Sequence, residues 1–201
     1  MKKKYVFRSL LVLAISVTLC IGYAAYRSFF PEEEVVPAVV VGVQHLGPDH
    51  LISEFYVNKY GGTGVGREGG GGGEVCCIVI PSKWRPGLIV EVRWKVDGWP
   101  PENRKEVEAG KFESVTTRGM YIARVPLEKY ENERSGDVYV HFFPKGRVRV
   151  VSTMYSVLST AHPVRYGLVD GDPKAAAGWP IKEMFTQAEL DEADRRRNKW
   201  Q

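Results

Sequence analysis

The chain of 201 residues has few of the side chains that build metal sites, disulfide frameworks and catalytic centres. It contains three cysteines and four histidines, and no C-x-x-C or paired-histidine motif gives them the spacing of a metal site. Cys20 lies in an N-terminal apolar segment, so at most two thiols remain elsewhere, too few for a disulfide-framed scaffold. No catalytic signature occurs. The sequence therefore predicts no catalytic residue, no metal site and no cofactor, and we expect a protein that is not an enzyme.

The part of the chain beyond the N-terminus also lacks an excess of positive charge. The formal net charge is +4, but five of the 28 basic residues lie in the first 27 positions and leave 23 basic against 24 acidic side chains. These five are Lys2, Lys3, Lys4, Arg8 and Arg27. The alkaline isoelectric point thus belongs to the N-terminal segment, and no nucleic-acid partner is expected.

An uncharged apolar segment runs from Ser9 to Tyr26, directly after the basic residues. Its 18 residues are at the lower limit for a membrane-spanning helix. Basic residues before it orient the N-terminus towards the cytoplasm. We predict a signal anchor over residues 1–27, a single pass through the inner membrane and a domain in the periplasm. Two alternatives stay open, a lipoprotein modified at Cys20 and a signal cleaved after Ala25.

The remaining sequence predicts one β-rich domain. Strict alternation over Leu88–Val96 indicates a half-buried antiparallel strand, and residues 137–152 form a hairpin pattern with one solvated face. We expect a mainly antiparallel β-sandwich of about seven strands. The predicted boundaries are a linker at 28–37, an exported domain at 38–160 and an irregular tail at 161–201. In that tail a capping box at Thr186–Glu189 predicts a peripheral helix that ends near Asn198.

Glycine is concentrated between Gly61 and Gly73, where it occupies nine of thirteen positions. Such a run is either a flexible loop or a backbone that approaches another backbone or a partner closely. Residues 64–69 match the pattern G-x-G-x-x-G, but a predicted strand follows them instead of the helix that a dinucleotide site requires. Nucleotide binding is therefore not predicted.

Cys76 and Cys77 lie side by side in the predicted strand after the glycine run. Neighbouring side chains of a strand point to opposite faces, so we predict two structural thiols. A redox-active vicinal pair, or a catalytic or metal-binding role, stays open as an alternative. His141 is predicted to be a structural histidine of the hairpin and not a catalytic one, while His45, His50 and His162 show no ligand spacing.

Three segments carry a family resemblance: YGGTGVG, GGGGGEVCCIVIPSKWRPGLIVEVRW and GDVYVHFFPKGRVRVV. They lie between about Val39 and Val151 and resemble a bacterial family, domain of unknown function 3304 (DUF3304). The resemblance implies a small exported or lipoprotein-like protein. Some members of the family look like immunity proteins for phospholipase effectors of the type VI secretion system.

The resemblance thus implies a periplasmic binding protein that neutralises a secreted antibacterial lipase by occlusion. The candidate partner-binding residues lie within the glycine run and at the tryptophan–arginine corner beyond it. They are Thr63, Val65, Arg67, Glu68, Trp84 and Arg85. Trp84 and Arg85 could equally form a structural corner packed on the strand at Leu88–Val96. The alternatives in other functional classes are an envelope enzyme or redox protein that uses the adjacent cysteines, and an envelope protein of structural role.

Overall fold

The computed structural model describes residues 16–23, 33–66, 74–131, 136–167 and 171–198. The chain divides into two compact units, Met1–Glu34 and Val35–Gln201. In the first unit, residues 16–23 form helix α1 with exposed side chains. No helix among the described residues is long and apolar enough to cross a membrane. The rest of the predicted anchor lies outside the described residues.

The described part of the second unit is built mainly of strands, with two short helices and one 3₁₀ turn at Pro101–Asn103. Its elements in chain order are β1 (Val35–Gln44), β2 (His50–Val57), β3 (Tyr60–Val65), β4 (Glu74–Pro81), β5 (Ile89–Gly98), α2 (Arg104–Glu108), β6 (Thr116–Pro126), β7 (Asp137–Phe143), β8 (Arg147–Thr153), β9 (Ala176–Ala177), β10 (Trp179–Pro180) and α3 (Gln187–Asn198). Strand β1 includes residues 35–37, the last three of the segment predicted as a linker.

The strands form two five-stranded sheets, sheet A in the order β4-β1-β7-β8-β9 and sheet B in the order β10-β6-β5-β2-β3. All neighbouring pairs are antiparallel except β1 and β7, which run parallel from Val40 opposite Val138 to Gln44 opposite Phe142. The prediction of a mainly antiparallel β fold is confirmed. More strands are present than expected because the glycine run supplies β3 and the tail supplies β9 and β10.

Alternating side chains of both sheets meet in one apolar core. Trp94 of sheet B contacts Phe142 of sheet A, with ring centroids 5.8 Å apart, and Phe55 packs edge-on against the same Phe142 ring. All three side chains are fully buried. Burial of aromatic surface on this scale is the largest stabilising contribution that such a core provides.

The first glycines of the run lie in β3 because the backbone passes close to β2 there. Asn58 and Lys59, with φ of 50° and 70°, form the two-residue turn between β2 and β3, and this is the geometry of a type I′ hairpin. A Cβ atom on Gly61 would lie 2.3 Å from the Phe55 carbonyl oxygen, and one on Gly64 would lie 2.7 Å from that of Ile52. Of the two alternatives for this run, close backbone approach therefore applies to residues 61–65.

The C-terminal segment crosses from one sheet to the other. Strand β9 pairs with β8 of sheet A, and β10 pairs with β6 of sheet B. The residue between them, Gly178, donates a hydrogen bond to the Gly146 carbonyl oxygen, and a Cβ atom there would lie 2.4 Å from the Trp94 ring. Residues 154–167 and 171–177 thus lie along sheet A, and residues 179–198 lie along sheet B.

Helix α3 is held to the outer face of sheet B by one carboxylate. Glu189 accepts two hydrogen bonds from the Arg93 guanidinium, at 2.8 and 2.9 Å, and forms an ion pair with Lys59. The predicted capping box is present, since Thr186 and Glu189 exchange hydrogen bonds between side chain and backbone. Arg93 also stacks over the Phe185 ring and donates to the Met184 carbonyl oxygen.

Candidate functional site

The outer face of sheet A carries a second, smaller core. Successive residues of β1, β7 and β8 face alternately inward and outward, so the residues between the main-core positions point away from sheet B. The second core contains Val41, Val43, Tyr139, Phe143 and Val151 from the sheet, covered by Val164 and Ala175. The prediction that one face of the β7–β8 hairpin is solvated was wrong, because the C-terminal segment covers that face and leaves Arg149 only 5% exposed.

Three of the four histidines form a continuous chain in this second core. His45 Nε2 lies 3.0 Å from His141 Nδ1, and His141 Nε2 lies 3.1 Å from His162 Nε2. At the two ends, His45 Nδ1 lies 2.5 Å from the Gly167 carbonyl oxygen and His162 Nδ1 lies 2.9 Å from the Tyr155 carbonyl oxygen. All three rings are buried. The histidine chain thus joins β1, β7 and the loop of residues 154–167.

The orientation of the central ring distinguishes this chain from a metal site. His141 presents Nδ1 to one neighbour and Nε2 to the other, so the three lone pairs do not converge on a common point. Within the described ranges, no group of three or more His, Cys, Asp or Glu side chains could hold a metal ion. The arrangement is suited to hold and transfer protons, because each imidazole can donate through one nitrogen and accept through the other.

Arg149 lies beside the histidine chain with two carboxylates. Its guanidinium donates to both oxygens of Glu128, at 2.5 and 2.8 Å, and to Asp172 Oδ2 at 2.7 Å. The exposed Lys174 stands 3.8 Å from Glu128. In the pairing of β7 with β8, His141 is directly opposite Arg149. This polar cluster therefore contains one buried positive charge, two half-buried negative charges and the exposed Lys174.

Burial lowers the pKa of all three histidines of the chain. The pKa of His141 falls furthest, first because of burial and then because of the neighbouring His45, His162 and Arg149. For His45 the carbonyl oxygen of Gly167 and the charge of Asp172 oppose the effect of burial on the pKa. For His162 the carbonyl oxygen of Tyr155 opposes burial, and Arg149 adds to it. The site therefore resists the accumulation of more than one positive charge on these rings.

The loop of residues 154–167 carries exposed apolar side chains on its other side. Met154, Tyr155 and Leu158 are 67%, 53% and 73% exposed. Met154 and Tyr155 also line a cleft of about 310 Å³, together with Tyr130, Thr153 and other residues. Solvated apolar side chains grouped within five residues are typical of interaction surfaces.

The candidate partner-binding residues have different environments in the structure. Val65 is buried in the main core, and Thr63 is half-buried on β3. Trp84 is half-buried against the same core and donates a hydrogen bond from Nε1 to the Leu127 carbonyl oxygen at 2.9 Å. Arg85 is exposed. Arg67 and Glu68 lie outside the described residues, so a role of this group in binding stays a prediction.

The cysteine predictions fall mostly outside the described residues. Cys76 and Cys77 belong to strand β4 by their backbone, but their side chains are not among those described. Their structural role therefore stays a prediction. Cys20 is exposed in helix α1 and makes no disulfide.

The histidine chain is the feature that the sequence analysis missed. His141 is structural as expected in the sense that it is buried and hydrogen-bonded, but the other two members appeared scattered because 96 and 21 positions separate them from it. The alternation of faces along a strand could have indicated part of the histidine chain. His141 lies between two main-core residues of β7 and therefore faces outward, and the alternation of β1 gives the same direction to His45, directly after that strand. The parallel pairing of β1 with β7 was needed to bring the two together.

These observations define a class, a two-sheet β-sandwich with a buried polar cluster on the outer face of one sheet. The family can also be given: the model of the family described as Protein of unknown function (DUF3304) matches residues 48–150, and the chain belongs to that family. The match includes His141 and Arg149 but not His45 or His162. No curated protein and no solved structure matches the chain.

Proposed function

We propose that this protein is an envelope binding protein that neutralises a secreted antibacterial phospholipase by occluding it, without turnover of its own. The observation that carries the proposal is the exposed apolar group Met154, Tyr155 and Leu158 beside the cleft. The entrance of a phospholipase site accepts acyl chains and is therefore apolar. Exposed side chains of the same character are complementary to it.

The support of the loop by sheet A favours the same function. The two terminal rings of the histidine chain donate hydrogen bonds to backbone carbonyl oxygens of the loop, those of Tyr155 and Gly167, so the exposed side chains are presented from a fixed base. Preorganisation of this kind lowers the entropy that binding would otherwise cost. Methionine and tyrosine are well suited to such a surface because one adapts its shape and the other combines apolar area with a hydroxyl group.

Co-expression tests the proposal. Cells that direct a phospholipase effector, encoded beside this protein, to their periplasm should survive only when this protein is also made. In a purified system the chain should bind that effector and inhibit its lipase activity at micromolar concentration. Purified protein that neither binds nor inhibits the neighbouring effector would overturn the proposal.

Paired variants identify the binding face. Leu158→Ser combined with Met154→Ser should weaken binding by about 30-fold, the effect of losing about 2 kcal/mol at an interface hot spot. Phe112→Ser is the matched control, because Phe112 is 58% exposed outside this loop. Arg85→Ser tests the face predicted from the sequence. If Arg85→Ser weakens binding and the double variant does not, the partner binds at the glycine-rich side.

A further inference from the structure

The hydrogen bonds of the histidine chain need more protons than three neutral rings carry. The chain has four polar contacts, two between ring nitrogens and two with carbonyl oxygens. A carbonyl oxygen only accepts, so His45 Nδ1 and His162 Nδ1 must both carry a proton. Each contact between ring nitrogens needs one further proton. Four protons are required, whereas three neutral imidazoles carry one each.

The neutral chain would place two lone pairs against each other. With Nδ1 protonated on both terminal rings, His45 Nε2 and His162 Nε2 are both acceptors. The single proton of a neutral His141 can then serve one of these neighbours only. The other pair of nitrogens, about 3 Å apart, would have no hydrogen between them, and an unmade hydrogen bond in a buried site is costly.

The charges around the chain limit the number of added protons to one, because Asp172 favours a proton on His45 whereas Arg149 opposes protons on His141 and His162. Among the described residues, the titratable or charged groups near the rings are Arg149 on β8, Glu128 after β6, and Asp172 in the segment that follows the loop. Tyr139 of β7 packs edge-on against His162. One guanidinium between two carboxylates leaves a single negative charge, which one proton on the rings neutralises. Lys174 is largely exposed and well screened.

We propose that the histidine chain is a binding site for one proton, shared by three rings, and that this proton fastens the loop of residues 154–167 to sheet A. When the proton is bound, all four contacts are hydrogen bonds and the loop is held at Tyr155 and Gly167. Loss of the proton breaks one of the four hydrogen bonds and releases the loop from sheet A. A second added proton also releases the loop, because it places two positive charges beside Arg149. This inference does not depend on the proposed function.

Nitrogen NMR of the histidine side chains in the full-length chain tests the proton count directly. At pH 7 the three rings should together show four protonated nitrogens, with the extra proton on one ring or exchanging among them. The fourth histidine, His50, provides an internal reference because it lies outside the chain. If His45, His141 and His162 each carry one proton throughout pH 6–8, the proposal is wrong.

Amide hydrogen exchange tests the coupling to the loop. After correction for the intrinsic exchange rate at each pH, protection of residues 154–167 should be greatest near pH 7 and fall about tenfold towards pH 5 and pH 9, which corresponds to the loss of one charge-assisted hydrogen bond. His141→Phe, of similar shape, should remove this pH dependence, and His50→Gln should leave it unchanged. His162→Gln gives a second test from the loop side if His141→Phe does not fold. An unaltered pH profile in a folded variant would contradict the proposal.

Discussion

The outer faces of the two sheets are closed in related ways but with different chemistry. Among the described residues, each face has one buried arginine between two core residues of its strand, Arg93 in sheet B and Arg149 in sheet A. Each arginine binds one carboxylate of the segment that covers it, Glu189 for Arg93 and Asp172 for Arg149. Only sheet A adds three histidines. Because the segment on sheet B is bound through an ion pair without histidines, we expect the histidine chain to give sheet A a further property, a response to pH near neutrality.

The largest difference between the two faces should appear when the arginine itself is replaced. Arg149→Met leaves Glu128 and Asp172 partly buried without the guanidinium, and the exposed Lys174, 3.8 Å from Glu128, stays as a positive group beside them. We expect the free energy of unfolding to fall by about 4 kcal/mol, the usual effect of breaking a buried ion pair from one side. Chemical denaturation monitored by tryptophan fluorescence measures this change. A loss below about 1 kcal/mol would mean that water and Lys174 compensate for the missing guanidinium.

On sheet B the corresponding test is Glu189→Gln, which removes one charge and keeps the capping box, since glutamine also serves at that position. The Glu189 side chain is 22% exposed, between the values of 14% for Asp172 and 29% for Glu128 on sheet A. Glutamine, however, keeps an amide oxygen that still accepts a hydrogen bond from Arg93. We therefore expect a smaller loss, about 2 kcal/mol.

The matched control for this variant is Glu192→Gln on the same helix. Glu192 pairs with Arg195 and Arg196 at the surface, so its replacement should change the free energy of unfolding by less than about 0.5 kcal/mol. Equal effects of the two variants would show that Arg93 does not hold helix α3.

The expected effect that is smallest for each group involved is the dependence on pH, which comes mainly from sheet A. Beyond the one proton that the three rings share, the lowered pKa of His45, His141 and His162 keeps the folded chain from binding further protons until a lower pH than in the unfolded chain. The stability from this source is present above the unfolded value of about 6.5 and is lost as the pH falls below it. Each proton taken up only on unfolding changes the free energy of unfolding by about 1.4 kcal/mol per pH unit.

The ion pair of Arg93 with Glu189 on sheet B should not contribute to this change. The contribution of His50 on β2, whose pKa burial also lowers, is measured separately with His50→Gln. Hydrogen bonds from Arg93, and then from Lys59 and Thr186, hold the pKa of Glu189 far below its usual range, so the carboxylate stays ionised between pH 5 and pH 7. The free energy of unfolding should therefore fall between pH 6.5 and pH 5.5 by the same amount in the wild-type chain and in Glu189→Gln. It should fall by less in His141→Phe. If Glu189→Gln abolished the dependence of the free energy of unfolding on pH, the titrating group would lie on sheet B, contrary to this prediction.

Local chemistry in the sequence was enough to determine most of the elements. Alternation over Leu88–Val96 predicted β5, the turn residues after Phe143 predicted the β7–β8 hairpin, and the capping box predicted the start of α3. These signals work because neighbouring residues in the chain determine turns, caps and the faces of a strand. The family was likewise correctly indicated by its motifs.

Tertiary structure alone decided where the outward-facing side chains meet. The parallel pairing of β1 with β7 places His45 beside His141, and the loop after β8 adds His162. A strand's own sequence gives the face on which a residue lies but not the strand that will lie beside it, because pairing depends on the packing of both sheets. For the same reason Arg149 appeared to be a solvated residue of a hairpin, and only the path of the C-terminal segment over sheet A made it a buried one.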